Sequence, residues 1–384
     1  MPPRHTDIAT SPHLRLILRR RICATRSHTL LSNFANVSKV CDTNMKQNRN
    51  PNRDYEIVSP PDDGVSSLSW SPSANYLAAG SWDGGVRVWE VNDAGQSNPV
   101  SEQKHEGPVL DVAWSDDGSQ VFSGGCDNAV YGWDLGSGTF QQVAGHDAPV
   151  RAVQWCGALN ALATASWDGT LRFWDLRTPE PICTHQLPGK VRAMDAVHPT
   201  LVVACELDSD KPIVIFDLRT PQQEYTRTGS PVSYQPRSIG VFMDSSGYAL
   251  GSIEGRVAIQ YIQDNDPRES YAFKYHRDSR RYIYSVNAMS FHPGYGTFVT
   301  AGSDGMIACW DKDSKQRLKE YKKNFNSISA TAFNANGAFL AYAVSYDWSE
   351  GAASYNQNEG SAIFIHQMTD TEIAARPKKN SRRY

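Results

Sequence analysis

Four stretches of the chain repeat one pattern of apolar and polar positions. Leu77–Glu90, Val121–Asp134, Leu162–Asp175 and Val299–Asp311 each open on a short apolar run and pass through an Asp-centred turn. Each then continues as an alternating strand and closes on Trp-Asp or Trp-Glu. Apolar/polar alternation bounded by turn residues is the signature of a β-strand. Weaker copies lie at Ile213–Asp217, Ala249–Tyr261 and Ala362–Ile365. With these, the closing aromatics are Trp89, Trp133, Trp174, Phe216, Tyr261, Trp310 and Phe364, separated by 44, 41, 42, 45, 49 and 54 residues.

A step of this size fits a four-stranded WD-repeat unit with modest loop insertions, and seven units predict an all-β, seven-bladed β-propeller over residues 54–370. A lone blade exposes two apolar faces, and radial stacking buries each against a neighbour. The ring also needs a lock. Asp54–Val58 stands one strand ahead of the first full repeat, so it is expected to supply the outer strand of the seventh blade.

Composition agrees with this reading. The 384 residues include 28 Gly and 10 Trp, 10% are aromatic, and 21% are charged, as in a turn-rich globular protein. No run of about 18 apolar residues is present, so no membrane insertion is expected. The seven cysteines are scattered without a C-x-x-C pair, which is reduced-compartment usage and gives no zinc spacing. No H-E-x-x-H, phosphate loop or G-x-S-x-G motif occurs, so neither enzyme activity nor a cofactor is expected.

The net charge of -3 hides an asymmetry, because residues 1–44 carry +5 and the remainder -8. Any nucleic-acid binding must then come from a local patch. Residues 1–44 have the Arg- and Ser-rich, acid-poor composition of a transit peptide, or form a disordered or upstream-extended start ahead of Met45. Either way they lie outside the predicted fold. Residues 371–384, with Arg376–Arg383, are expected to form a basic disordered tail.

In the second and third repeats, His105 and His146 precede a strand, Ser123 and Thr164 lie within one, Asp127 and Asp168 occupy the turn, and Trp133 and Trp174 close the unit. Such sets resemble Ser-His-Asp arrays, but catalysis needs one such site with an oxyanion hole, and a structural tetrad explains why the set recurs. Residues that depart from the repeat are the functional candidates. Trp82 and Trp167 stand just before the turn Asp, either as anchors for a partner or packed on a neighbouring loop. Arg256 follows the equivalent turn of blade five, poised for a partner carboxylate or for Glu254. Lys274, Lys312, Lys315 and Arg317 form a candidate basic edge, either a phosphate-contact site or a solvated charged turn.

At these departures the chain resembles the Rae/Gle-type mRNA export factors that dock on nucleoporins. The resemblance is carried by Ser59–Asp63, Ala79–Asp83, Gly251–Ile259, Trp310–Asp313 and Ser345–Ser349, among others, and spans residues 54–366. Bub-type spindle-checkpoint propellers share the Ile253–Val257 stretch and the Trp310–Lys312 segment but match Ser345–Ser349 and Ser59–Asp63 poorly. The resemblance implies a non-enzymatic factor of the nucleus and nuclear pore that shuttles to the cytoplasm. It implies that a nucleoporin segment with paired glutamates lies across the top face on Arg256, and that RNA is held weakly by Lys274, Lys312, Lys315 and Arg317. Checkpoint proteins, or a ubiquitin-ligase adaptor role, are the rival partners, since fold alone does not choose among them.

Overall fold

A computed structural model of the chain describes residues 49–263, 266–356 and 359–376. The expectation for residues 1–44 falls outside these. The described residues form seven four-stranded antiparallel sheets. Blade one comprises Val65–Trp70, Tyr76–Ser81, Gly85–Val91 and Ser97–Lys104, from the innermost strand outward, and five further blades follow the same order. Blade seven takes Ile328–Phe333, Phe339–Val344 and Ala362–Gln367 from the C-terminal part and Tyr55–Glu56 from the N-terminal part. Tyr55 lies opposite Ile365, and Glu56 opposite Phe364. The innermost strands lie side by side around the ring, and the first touches the seventh, so the sheet stack closes. Closure leaves only short outer edges.

The core is a set of seven interblade layers. Leu77, Trp89, Ala341 and Ile365 meet between blades one and seven, Val86, Val109 and Trp133 between one and two, and Phe173, Leu201 and Phe216 between three and four. The closing aromatics of the repeat are thus wedges between blades. Trp89 and Trp133 are each 1% exposed. Truncating such a side chain to Ala costs about 3 to 5 kcal/mol.

Every innermost strand carries a bulge after its first residue, so that Val65 and Ser67, but not Ser66, pair with the second strand. A bulge re-aims the extra residue's side chain. The extra residues are Ser66, Leu110, Arg151, Arg192, Arg237, Asn287 and Ser329, and five of them line the channel cavity on the axis.

The basic tail expected from residue 371 differs in its first part. Asp370–Ile373 forms one helical turn, α1, held by a capping box between Thr369 and Glu372. Ile373 is 1% exposed and packs on the layer between blades six and seven, while Thr297 donates to its carbonyl at 2.7 Å. Arg376 is tied through its backbone N–H to Asp311 Oδ2 at 3.1 Å. A buried apolar residue amid charged neighbours is what docks this segment. Residues 377–384 lie outside the described ones.

Candidate peptide-binding face and basic edge

In blade three, His146 Nδ1 is 2.9 Å from Asp168 Oδ2, and its Nε2 is 2.7 Å from Thr164 Oγ1, which also accepts from Trp174 Nε1 at 2.8 Å. Burial holds His146 below its ordinary pKa, although the Asp168 hydrogen bond opposes it. Asp168 is held low in spite of burial by hydrogen bonds from Thr170 and His146. The Thr164 hydroxyl is spent inside the blade, and the residue is 0% exposed, so no substrate reaches it.

In blade two, His105 bridges Asp127 at 3.0 Å and Ser123 at 2.8 Å. Trp133 is equally buried but makes no hydrogen bond to Ser123, and Tyr131 and Phe140 pack edge-on against the His105 ring instead. A third array, His276–Asp304–Thr300–Trp310, stands in blade six with His276 Nδ1 2.9 Å from Asp304 and Trp310 Nε1 3.0 Å from Thr300. Sequence reasoning missed it because His276 precedes its Asp by 28 residues, against 22 in blades two and three.

These turns define one face of the ring. On it Trp82 is 38% exposed, and its ring lies beside Gly64, where a Cβ would be 3.5 Å from Trp82 Cδ1 and 3.7 Å from the Tyr346 carbonyl. Next to it, Tyr346, Trp348 and Tyr355 form an aromatic cluster with Trp348 and Tyr355 stacked at 5.0 Å. Trp348 and Tyr355 are 38% and 42% exposed, so blades one and seven together present an apolar patch that the isolated Trp82 did not announce.

Trp167 is half-buried and lines a cavity of about 380 Å³ with Leu187, Pro188, Lys190 and Glu206. Its indole Nε1 is buried without a hydrogen-bond partner. Arg256 opens the third strand of blade five opposite Lys274. Its Nε makes an ion pair with Glu254 Oε1 at 3.6 Å, too far for a hydrogen bond, and is buried without a hydrogen-bond partner. Glu254 Oε1 is engaged instead by the Ser233 N–H at 3.2 Å, and Arg277 donates to the Glu254 carbonyl at 2.6 Å. Trp82, Trp167 and Arg256 belong to blades one, three and five. They share the face without touching, so one ligand reaches all three only by crossing the channel mouth.

The basic edge is divided. Lys274 and Lys315 are exposed, and Lys315 Nζ lies 4.7 Å from the Tyr271 ring centre. Arg317 is paired with Glu320 and stacked over Tyr275. Behind them Phe273 packs on Trp310 at 4.5 Å and Tyr275 on Trp310 at 4.8 Å, giving an aromatic floor under Lys315 and Arg317. Lys312 departs from the expectation. It is 5% exposed, its Nζ is 3.0 Å from Asp313 and 5.0 Å from the Phe242 ring centre, so its charge is already compensated. Arg277, in the loop between Lys274 and blade six, turns toward blade five's turn and donates to the Glu254 carbonyl.

Seven radially stacked sheets bearing repeated His-Asp-hydroxyl arrays define a WD-repeat β-propeller, and the model of the WD domain, G-beta repeat, matches residues 55–90, 97–134, 138–175 and 271–311. The chain is 45% identical over 333 residues to the poly(A)+ RNA export protein of Schizosaccharomyces pombe, covering 85% of this chain and 94% of that one. It is 45% identical over 337 residues to Protein Rae1 of Drosophila melanogaster, covering 84% and 96%, and 42% identical over 339 residues to mRNA export factor GLE2 of Chaetomium thermophilum, covering 86% and 94%. The chain belongs to the Rae/Gle family of WD-repeat mRNA export factors.

Proposed function

We propose that this protein is a non-enzymatic mRNA export scaffold of the nucleus and nuclear pore, shuttling to the cytoplasm, and that its turn face docks an acidic nucleoporin segment. The observation that carries the docking is Arg256, a guanidinium whose Nε is buried without a hydrogen bond and whose nearest carboxylate stands 3.6 Å away. A glutamate brought by a peptide completes that group, and a desolvated Arg-carboxylate pair is both strong and geometrically selective. The aromatic patch of Trp82, Trp348 and Tyr355 supplies apolar area at one end of the path, and Trp167 an indole donor beside a cavity. RNA is held weakly on the outer edge of blades five and six by Lys274, Lys315 and Arg317, with bases near the aromatic floor. The fungal relatives named poly(A)+ RNA export protein and mRNA export factor GLE2 agree with this reading. Capture of partners from nuclear extract on the immobilised chain is expected to retrieve a nucleoporin whose binding is lost in Arg256→Glu. Retrieval of checkpoint proteins in its place would overturn the proposal.

A further inference from the structure

The mouth of the axial channel carries a charge imbalance of its own. Arg151, Arg192 and Arg237 are the bulge residues of three successive blades, and the three guanidiniums are near enough to disfavour one another's charge. Arg192 is satisfied, pairing with Glu206, while the Gln235 amide, turned with its oxygen inward, accepts from it at 2.9 and 3.1 Å. Arg151 and Arg237 have neither an ion pair nor a side-chain hydrogen bond among the described residues, and both line the channel cavity of about 150 Å³.

Asp111 lies in the same wall and attracts Arg151 without pairing with it, and Asp195 stands close to Asp111. Asp111 is spent on Ser67 Oγ at 2.6 Å and the Val112 and Val153 N–H groups at 3.0 and 2.9 Å. Asp195 accepts from the Val241 N–H at 2.7 Å, and burial pushes it up to about 6, toward the neutral form. No Arg151 nitrogen is within ion-pair distance of either carboxylate. An arginine does not shed its proton in a protein, and the half-buried Arg151 stands with the exposed Arg237 at the mouth, so both guanidiniums present unpaired N–H groups to an anion entering from solvent. Ser66, Ser329 and Asn287 stand around the same cavity, but the Ser66 hydroxyl donates to the Val109 carbonyl at 2.7 Å, the Asn287 amide to Asp347 Oδ2 at 2.6 Å, and Ser329 is bonded to Ser345 at 2.8 Å, so the two arginines carry the site.

We propose that the channel mouth is a binding site for a small phosphate-class dianion, a free phosphate or the terminal phosphate of a soluble metabolite, gripped between Arg151 and Arg237. The fork of guanidinium N–H groups matches tetrahedral oxyanion geometry, and the cavity is too small for a nucleic-acid strand. The site is distinct from Arg256 and does not rest on the nucleoporin reading, although a peptide crossing the face would pass over it.

The full chain titrated with pyrophosphate, at ionic strength held constant with sodium chloride, is expected to show saturable heat by calorimetry and a rising Tm. Arg151→Gln/Arg237→Gln is expected to weaken binding by more than about tenfold. Without ligand its Tm should stay close to that of the unmodified chain, because Arg151's repulsion from Arg237 is lost together with its attraction to Asp111. Arg256→Glu should bind pyrophosphate as the unmodified chain does. Pyrophosphate heat that does not saturate, or that is equal in the double variant, overturns the proposal. So does a double variant destabilised before ligand is added, which would make the arginines structural. If pyrophosphate fails but the double variant loses an acidic peptide, the arginines belong to the peptide path and the phosphate site is rejected.

Discussion

His366 Nδ1 lies 2.6 Å from Asp54 Oδ1, joining residues 312 positions apart across the seam of the seventh blade. The same Asp54 accepts from the buried Tyr342 hydroxyl at 2.6 Å, and His366 Nε2 reaches Glu372 in α1 at 3.2 Å. The residues leading into the closing strand and those of α1 are thereby fastened to one strand. Burial alone would lower the His366 pKa, but hydrogen bonds with Asp54 and Glu372 outweigh it and raise it from 6.5 to about 9. Burial would raise Glu372, yet the His366 contact brings it down from 4.5 to about 2.

Linkage gives these shifts opposite pH windows. The His366 contribution is whole below about 6.5 and is lost as pH rises through about 9, whereas that of Glu372 is present above about 4.5 and lost as pH falls through about 2. The seam is therefore expected to be tightest between these limits. Stability should decline between pH 6.5 and 9 by roughly 1 to 3 kcal/mol, and His366→Gln should flatten that decline. Denaturant midpoints across the pH series test it, and parallel slopes in the two proteins would refute it.

Removing residues 1–44 is expected to leave Tm almost unchanged, since Asp54 and the Tyr55–Glu56 strand remain. Removing residues through Val58 takes away that strand, the Asp54 contacts and the Val58 carbonyl that accepts from Trp89 Nε1 at 2.8 Å. A sharp fall in Tm is expected from the longer deletion only.

Thr164→Val keeps the shape of the blade-three array and removes the oxygen that both His146 and Trp174 bond. Leaving two buried polar groups unpaired is expected to cost about 1 to 3 kcal/mol. Ser123→Ala should cost less, because Trp133 does not depend on it. Urea unfolding that ranks the two variants in reverse would show that the arrays differ in some other way.

The basic edge predicts a shallow salt dependence for single-stranded RNA, with a slope of about -0.7 per phosphate neutralised. Lys274→Glu with Lys315→Glu should flatten it, whereas Lys312→Gln should leave the slope alone and lower Tm, since Lys312 is buried against Phe242 and Asp313. If binding instead survives the edge changes and disappears when residues 377–384 are removed, the C-terminal residues carry it.

The blades were legible because each copy spends its closing aromatic on the same interblade wedge, so Trp89, Trp133, Trp174 and Trp310 recur at a readable spacing. What hid was local geometry. The insertion between His276 and Asp304 stretched a familiar interval, and Lys312 looked solvent-facing until the Phe242 ring took its stem. The channel arginines carry no sequence signal at all, because only the bulge after Val150, Val191 and Pro236 gives them a shared position at the mouth.

Arg256 is the most discriminating position on the turn face. Its Nε lacks a hydrogen bond, and Glu254 is held by the Ser233 N–H, so the pair within blade five is loose. Truncation to Ala should leave circular dichroism and Tm unmoved. It should weaken an acidic nucleoporin peptide by about 2 kcal/mol, the lower end for a desolvated charge pair because the side chain is 31% exposed. Arg256→Glu should lose more, since it sets a like charge against the peptide's glutamates beside the existing Glu254. A peptide with those glutamates changed to lysine should recover part of that loss with Arg256→Glu and none with Arg256→Ala, which separates a direct charge contact from a general change in surface potential. Calorimetry showing the original peptide bound equally by Arg256→Glu and the unmodified chain would remove Arg256 from the docking path and leave it a brace for the blade-five turn.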